Sequence, residues 1–296
     1  MGGLDQTRAH KRILVETVIA LRPKYGLNIL LKYFHLARAT FYYHVKKMSK
    51  PDKYQSLRNM IHQIFDESHE TYGYRRVQMI LDTKGIHYAP ETIRRIMRQE
   101  GLISEVYWRK GQQYRSYHGE VGHVADNLIK QDFKATRPYE KLATDVTQIK
   151  VNDQRLYLSA IIDLFSNEVL AYDIRESPNK IQIQQTLSQL TTKITFNDDV
   201  ILHSDQGWLY QLDNYQNYLK EHQITQSMSR KGNCLDNAPI ESFFGLLKKE
   251  FVYRLSFKNT TDFIEQLKTH INWFNTKRIN RKKGKTPYEI RRLALE

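Results

Sequence analysis

A chain of 296 residues that is 40% hydrophobic is long enough to bury a sizeable core and points to two or three folded units rather than a disordered tail. No run reaches the ~18 apolar residues needed to span a bilayer, no secretion signal opens the chain, and the single cysteine, Cys234, excludes a disulfide framework or a zinc site built on two thiolates. The expectation is a soluble protein of a reducing cytoplasm, and its net charge of +14 is unevenly placed: +8 over residues 1–50, +2 over 51–134, −4 over 135–241 and +8 over 242–296.

The first 50 residues read as helical. Ile13, Val18, Ile19 and Leu21 are apolar, Pro23 to Gly26 breaks the pattern, and Ile29, Leu30 and Phe34 predict the inner face of a next helix. A turn at His35-Leu36 and a helix over residues 40–47 complete either a helix-turn-helix, with Arg38, Tyr42, Tyr43 and His44 turned to DNA, or an ordinary helical hairpin. Residues 51–103 predict a second helical module. Ile61, Ile64 and Phe65 lie in one helix, Val77, Ile80 and Leu81 in the next, and Pro90 opens a third with Ile93, Ile96 and Met97 inward and Arg94, Arg95 and Arg98 outward. Residues 104–137 lack periodicity and read as a linker that could lie along DNA.

From about residue 138 β-branched and aromatic runs replace helical spacing. Residues 142–151, 155–165 and 168–177 predict three strands joined by hairpin-length loops, followed by a helix over 180–194, a buried strand over 200–205, a helix over 212–224 and a short strand over 225–229. A last helix carries Ile240, Phe243, Phe244, Leu247 and Phe251 on one stripe, with Asp236 or Asn237 as its cap and Pro239 in its first turn. This order is that of a ribonuclease-H-like α/β fold: a mixed five-stranded sheet over residues 138–255 with flanking helices, preceded by all-α helix-turn-helix modules and followed by a basic helical segment over 256–296.

Three carboxylates stand out in that frame. Asp145 lies within the first strand, Asp205 ends the fourth, and Glu241 sits in the first turn of the last helix. Brought together, they need cations between them, and hard oxygen ligands select Mg²⁺. Two metal ions can activate a nucleophile, stabilise phosphorane charge and hold a leaving oxygen, so the expectation is two Mg²⁺ per site with Mn²⁺ as a substitute. Asp145 would bridge, with Asp205 and Glu241 each serving one ion. Asp163 and Asp173 rank below the triad, and His203 reads as a satisfied histidine rather than a ligand.

Asp145 and Asp205 are separated by 59 residues, and Asp205 and Glu241 by 35. With those spacings, HSDQG (203–207), SMSRKGNCLDNAPIESFFGLLKKE (227–250), FNTKRINRKKGKTPYEIRR (274–292), TFYYHVKK and HETYGYRRVQMIL (69–81), the chain resembles the catalytic subunit of bacterial insertion-sequence transposases of the DDE class, in the family customarily labelled three. The resemblance implies a retroviral-integrase-like core that nicks the 3′ ends of an element and joins them to DNA by Mg²⁺-dependent transesterification, through a circular intermediate. It implies a homodimer or higher oligomer on DNA carrying terminal inverted repeats and on target DNA, and a possible upstream-frame subunit; no leucine zipper is found in this chain. It casts Lys248 as the basic residue that binds a terminal phosphate or base. Other expected DNA contacts are Arg75, Arg76, Arg94, Arg95, Arg230, Lys231, Lys277, Arg278 and Arg281. The chain departs from the family pattern at Trp208-Leu209 and Leu235. A nuclease that cuts without joining and a non-catalytic DNA-binding repressor are the other readings, and the intact triad opposes the second.

Overall fold

The computed structural model describes residues 3–104, 106, 123–194 and 199–296. The chain divides into two compact units, Met1–His62 and Gln63–Glu296.

In the first unit α1 (Gly3–Tyr25), α2 (Leu27–Tyr33) and α3 (Arg38–Met48) close on a core of Val15, Val18, Leu30, Leu31, Leu36 and Phe41. Pro23 is absorbed into the last turn of α1, and the break falls at Gly26, whose φ of +73° suits a residue without Cβ. Ile13 and Ile19 face outward, and so does Ile29, contrary to its expected place on an inner face. Because α2 has only seven residues, its inner face is set by the adjacent pair Leu30 and Leu31, not by the phase of Ile29.

The second unit begins within α4 (Gln55–Glu67) and continues through α5 (Tyr74–Thr83) and α6 (Pro90–Gln99), which pack on each other. Val77, Leu81, Ile93, Ile96 and Met97 are buried, while Arg94, Arg95 and Arg98 are exposed, as the amphipathic spacing predicts. Half of the segment read as linker lies outside the described residues. Residues 123–133 are bound to the core: Met228 N donates to Asp126 O, Leu128 N to Ser227 Oγ, and Gln216 Nε2 to His123 O.

The sheet is mixed, in the order β3-β2-β1-β4-β5. β1 (Lys141–Val151), β2 (Gln154–Asp163) and β3 (Val169–Arg175) form an antiparallel meander, and β4 (Val200–Ser204) and β5 (Ile224–Met228) add in parallel on the far side of β1. α7 (Lys180–Lys193) packs on β3 and β2, α8 (Asp213–Glu221) on β5, and α9 (Ala238–Leu247) on β1. Leu142 and Leu202 of the central strands meet Ile183, Leu187, Leu190 and Leu219 of α7 and α8 in one cluster. This is the ribonuclease-H-like arrangement. A π-helical turn, Lys248–Val252, extends α9 and buries Glu250 and Phe251; α10 (Thr260–Thr276) and α11 (Pro287–Leu295) follow, the latter opened by a capping box between Thr286 and Glu289.

The C-terminal elements hold the module at residues 63–104. Tyr72 Oη accepts from Ile279 N at 2.7 Å, Trp273 Nε1 donates to Glu67 O at 3.2 Å, and Arg254 pairs with Glu70 at 2.9 Å.

Candidate active site

β1 alternates its side chains, so Asp145 and Thr147 share one face while Thr144 turns to the other and donates to Ala160 O at 3.0 Å. β4 runs parallel to β1 with Lys141 opposite Ile201 and Ala143 opposite His203, and continuing that register brings Asp145 level with Asp205 at the carboxyl end of β4. α9 lies against β1 and presents Glu241 from its first turn. In each aspartate one oxygen is tied to a backbone amide: Val146 N donates to Asp145 Oδ1 at 2.7 Å, and Gly207 N to Asp205 Oδ1 at 2.8 Å. Oδ2 of each has no hydrogen-bond partner among the described residues.

The three groups act on each other electrostatically. Burial, then the charges of Asp205 and Glu241, push the Asp145 carboxyl well above the usual carboxylate range. Asp205 is raised by burial, and Glu241 by partial burial and by Asp205. Lys248 is half-buried; its Nζ donates to Thr147 Oγ1 at 2.7 Å, and its charge draws the Asp145 carboxyl down, while burial lowers the ammonium's own pKa. Among the described residues no three His, Cys, Asp or Glu side chains are gathered closely enough to form a finished metal cage. Carboxylates without a counter-cation repel and stand apart. The donor set, three carboxylates with free oxygens and no thiolate or imidazole among them, fits Mg²⁺.

Gly207 and Tyr210, which the sequence reading did not single out, support this floor, and Asp236 has a role other than the one expected of it. A Cβ on Gly207 would lie 2.8 Å from Asp205 Oδ1, so the glycine permits that close approach. Tyr210 is buried beneath the two aspartates, whose charges help to push its phenol up, and its ring meets Tyr215 edge-on at 5.4 Å. Asp236 is not the cap of α9. Its buried carboxylate receives Arg230, Asn127, Gln131 and Asn233, held well below the usual range by the Arg230 guanidinium first of all, and Asn237 takes the N-cap position without a side-chain hydrogen bond. Glycine after Asp205 in HSDQG was the one signal legible beforehand.

His203 is buried with Nδ1 2.8 Å from Ser227 Oγ and stays below its ordinary pKa through burial. Asp163 accepts from the Tyr139 and Ser166 amides and the Ser166 hydroxyl, and Asp173 pairs with Arg175, so both are committed elsewhere.

Of the expected DNA contacts, Arg38 and Tyr42 are exposed on α3, with Arg38 donating to Asn28 Oδ1; Arg75, Arg94, Arg95, Lys231, Lys277 and Arg281 are exposed. Arg76 is half-buried over the Tyr72 ring, and Arg230 is largely exposed although forked onto Asp236. Arg278 corrects the expectation. Its guanidinium is only 7% exposed and is closed in a bidentate pair on Glu250 at 2.7 Å, so it is a structural strut rather than a DNA contact.

The chain matches an HTH-like domain over residues 52–110 and integrase core domains over residues 135–234 and 241–295. It is 47% identical over 272 residues to the transposase-named InsK protein of insertion sequence element IS150 in Escherichia coli (strain K12), covering 92% of this chain and 95% of that protein. It is 29% identical over 236 residues to the transposase InsF for insertion sequence IS3A from the same organism, covering 78% and 81%. Among solved structures it is similar to the simian T-cell lymphotropic virus intasome bound to the PP2A regulatory subunit B56 gamma, at 16% identity and a TM-score of 0.45 over 72% of this chain and 70% of that one. With a relative of the first identity spanning nearly its whole length, the chain belongs to the insertion-sequence transposases of the family customarily labelled three, polynucleotidyl transferases built on an integrase core.

Proposed function

We propose that Asp145, Asp205 and Glu241 form the catalytic site with which the protein nicks the 3′ ends of an insertion sequence and joins them to DNA by direct transesterification. The observation that carries this reading is that β1, the end of β4 and the first turn of α9 gather three carboxyls whose free oxygens have no cation of the protein between them, with the charge of Asp205 raising both Asp145 and Glu241 and that of Glu241 raising Asp145. Such a cluster is discharged by divalent cations, and Mg²⁺ held by Oδ2 of the aspartates and the Glu241 carboxylate, two ions per site with Mn²⁺ as a substitute, would supply Lewis-acid activation and charge neutralisation. The amides of Val146 and Gly207 fix the orientation of the two aspartates before DNA arrives. Lys248, braced by Thr147, holds a terminal phosphate close to Asp145.

In the first step a water oxygen attacks the phosphorus at the element's 3′ end, and the bond to the 3′ oxygen breaks to leave a 3′-OH. That hydroxyl attacks a second phosphodiester; one P–O bond forms as another breaks, so no energy source is consumed. Attack on the opposite end of the element gives a circular intermediate before insertion. Arg38, Tyr42, Arg75, Arg76, Arg94, Arg95, Arg230, Lys231, Lys277 and Arg281 contact element or target DNA. The division at residues 50, 103, 137 and 255, a dimer or higher oligomer on DNA, an upstream-frame partner and a bacterial cytoplasmic setting belong to the same reading. No helix among the described residues is long and apolar enough to cross a membrane.

The test is to incubate the protein and its Glu241→Gln variant with labelled DNA bearing the terminal repeat, with Mg²⁺ or EDTA, and to resolve the strands on a denaturing gel. Mg²⁺-dependent nicks and longer joined strands, both lost in the variant, are expected. Nicks without joined strands would point to a nuclease, and binding without cleavage to a regulator.

A further inference from the structure

A groove of about 650 Å³ opens between the start of α5, the side of α9 and the turn at residues 280–282. Arg75 and Arg76 come from the first element, Pro239 and Ser242 from the second, and Arg281 and Lys282 from the third. No aspartate or glutamate lines it, and the remaining cation on its wall, Arg278, is neutralised by Glu250. The other four have no carboxylate partner among the described residues; Arg75 reaches only the Tyr74 hydroxyl, at 3.2 Å. Arg76 is held over the Tyr72 ring at 5.3 Å, which fixes its guanidinium at the groove wall, and its Nε is buried without a hydrogen-bond partner. The first turn of α5 adds no acidic residue, and its N-cap Gly73 brings no side chain.

Four uncompensated cations around one open groove form an anion site, and their spread over two elements on opposite walls suits a run of phosphates better than a single small anion. We infer that this groove binds the phosphodiester backbone of a DNA strand and hands it from the HTH-like module to the helix that carries Glu241. The assignment rests on the strand-transfer reading above and extends it. Pro239, Ser242, Phe243 and Leu246 line the groove as one face of α9, so a strand seated here runs beside the helix that carries Glu241 on another face. The burial of Arg278 then has a use: its pair with Glu250 fixes the turn that presents Arg281 and Lys282, whereas a flexible arginine in its place would leave the groove's wall unset.

The test measures affinity against salt concentration on two 30-bp duplexes, one carrying the terminal repeat that flanks the gene and one scrambled, for wild type, Arg76→Gln, Arg281→Gln/Lys282→Gln and the α8 control Lys220→Gln. Arg281 and Lys282 are exposed, so their double variant keeps its fold, and thermal unfolding checks Arg76→Gln. Removing one phosphate-binding charge should reduce the slope of log affinity on log salt by about 1 and weaken binding about tenfold at low salt, while the control follows wild type. A loss confined to the repeat duplex assigns the groove to the element end; an equal loss on both assigns it to DNA of any sequence, target included. Wild-type slope and affinity in the double variant on both duplexes would overturn the inference. Nicking in Mg²⁺ is read on the same samples. A groove effect in a wild-type protein that does not nick would sink the strand-transfer reading alone, and nicking without a groove effect would sink the groove alone.

Discussion

Replacing Gly207 by alanine puts a methyl carbon 2.8 Å from Asp205 Oδ1 and 3.4 Å from the Tyr210 ring. The backbone at Gly207, φ −60° and ψ 142°, is open to any residue, so the whole effect comes from that methyl group. An ordinary contact begins near 3.4 Å, and something must move by roughly half an ångström. The Tyr210 ring is buried against Tyr215 and has little room to yield, which leaves the Asp205 carboxylate to shift and lose its bond from the residue 207 amide. Catalytic groups tolerate displacements of about 0.5 Å, and about 1 Å costs on the order of a hundredfold. The expected loss in the nicking rate is therefore roughly ten- to a hundredfold. Overpacking costs about 1 kcal/mol, a fall in Tm of about 2–4 °C for a unit of this size. Single-turnover nicking of labelled repeat DNA at saturating Mg²⁺, with a melting curve for each protein, measures both. A variant that nicks within twofold of wild type would refute the claim that Asp205 is held in place by this close approach.

Breaking the buried pair by Glu250→Ala should cost about 3–5 kcal/mol, because it strands the Arg278 guanidinium, whereas Glu250→Leu with Arg278→Met should restore most of the loss; denaturant titration distinguishes them. The raised Asp145 carboxyl contributes to the metal-free protein a stability that is fully present below the ordinary carboxylate range and is lost as pH rises through the folded value. Asp145→Asn should thus raise the Tm at pH 7 in EDTA, the gain should vanish near pH 4, and Mg²⁺ should raise the Tm of wild type more than that of the variant; scanning fluorimetry across pH checks all three. Asp236 has the opposite sign: its depressed carboxyl stabilises above the ordinary range and loses that contribution as pH falls through the folded value, so Asp236→Asn should cost about 2–3 kcal/mol at pH 7 and clearly less, though not nothing, at pH 2, read by urea unfolding at the two pH values.

The strands and the helix bearing Glu241 were legible because each repeats a simple period: β1 to β5 fall within a few residues of the spans read from β-branched runs, and Ile240, Phe243, Phe244, Leu247 and Phe251 are all buried. What periodicity does not carry is pairing across distance. Arg278 stands in a basic run, and nothing nearby in sequence announces that Glu250, 28 residues earlier, will enclose it. Asp236 and Asn237 were equal candidates for the cap of α9; Asn237 takes that place, while donors as distant as Asn127 and Gln131 claim the oxygens of Asp236. Ile29 failed for a local reason: in two turns of helix, either of two apolar phases satisfies the pattern, and packing with Val15 and Val18 decides.

The bond between Tyr72 and Ile279 spans 207 residues. At about 5–20 residues per second, a ribosome needs roughly 10–40 s after making Tyr72 before its partner exists. Throughout that interval the pocket over Tyr72 lacks its far wall, and the turn bearing Arg281 and Lys282 has not been made. Maturation of residues 63–104 is in this way timed by the synthesis of residues 254–282, so a nascent or prematurely ended chain can own all three carboxylates and still lack the finished surface that α5 shares with those residues.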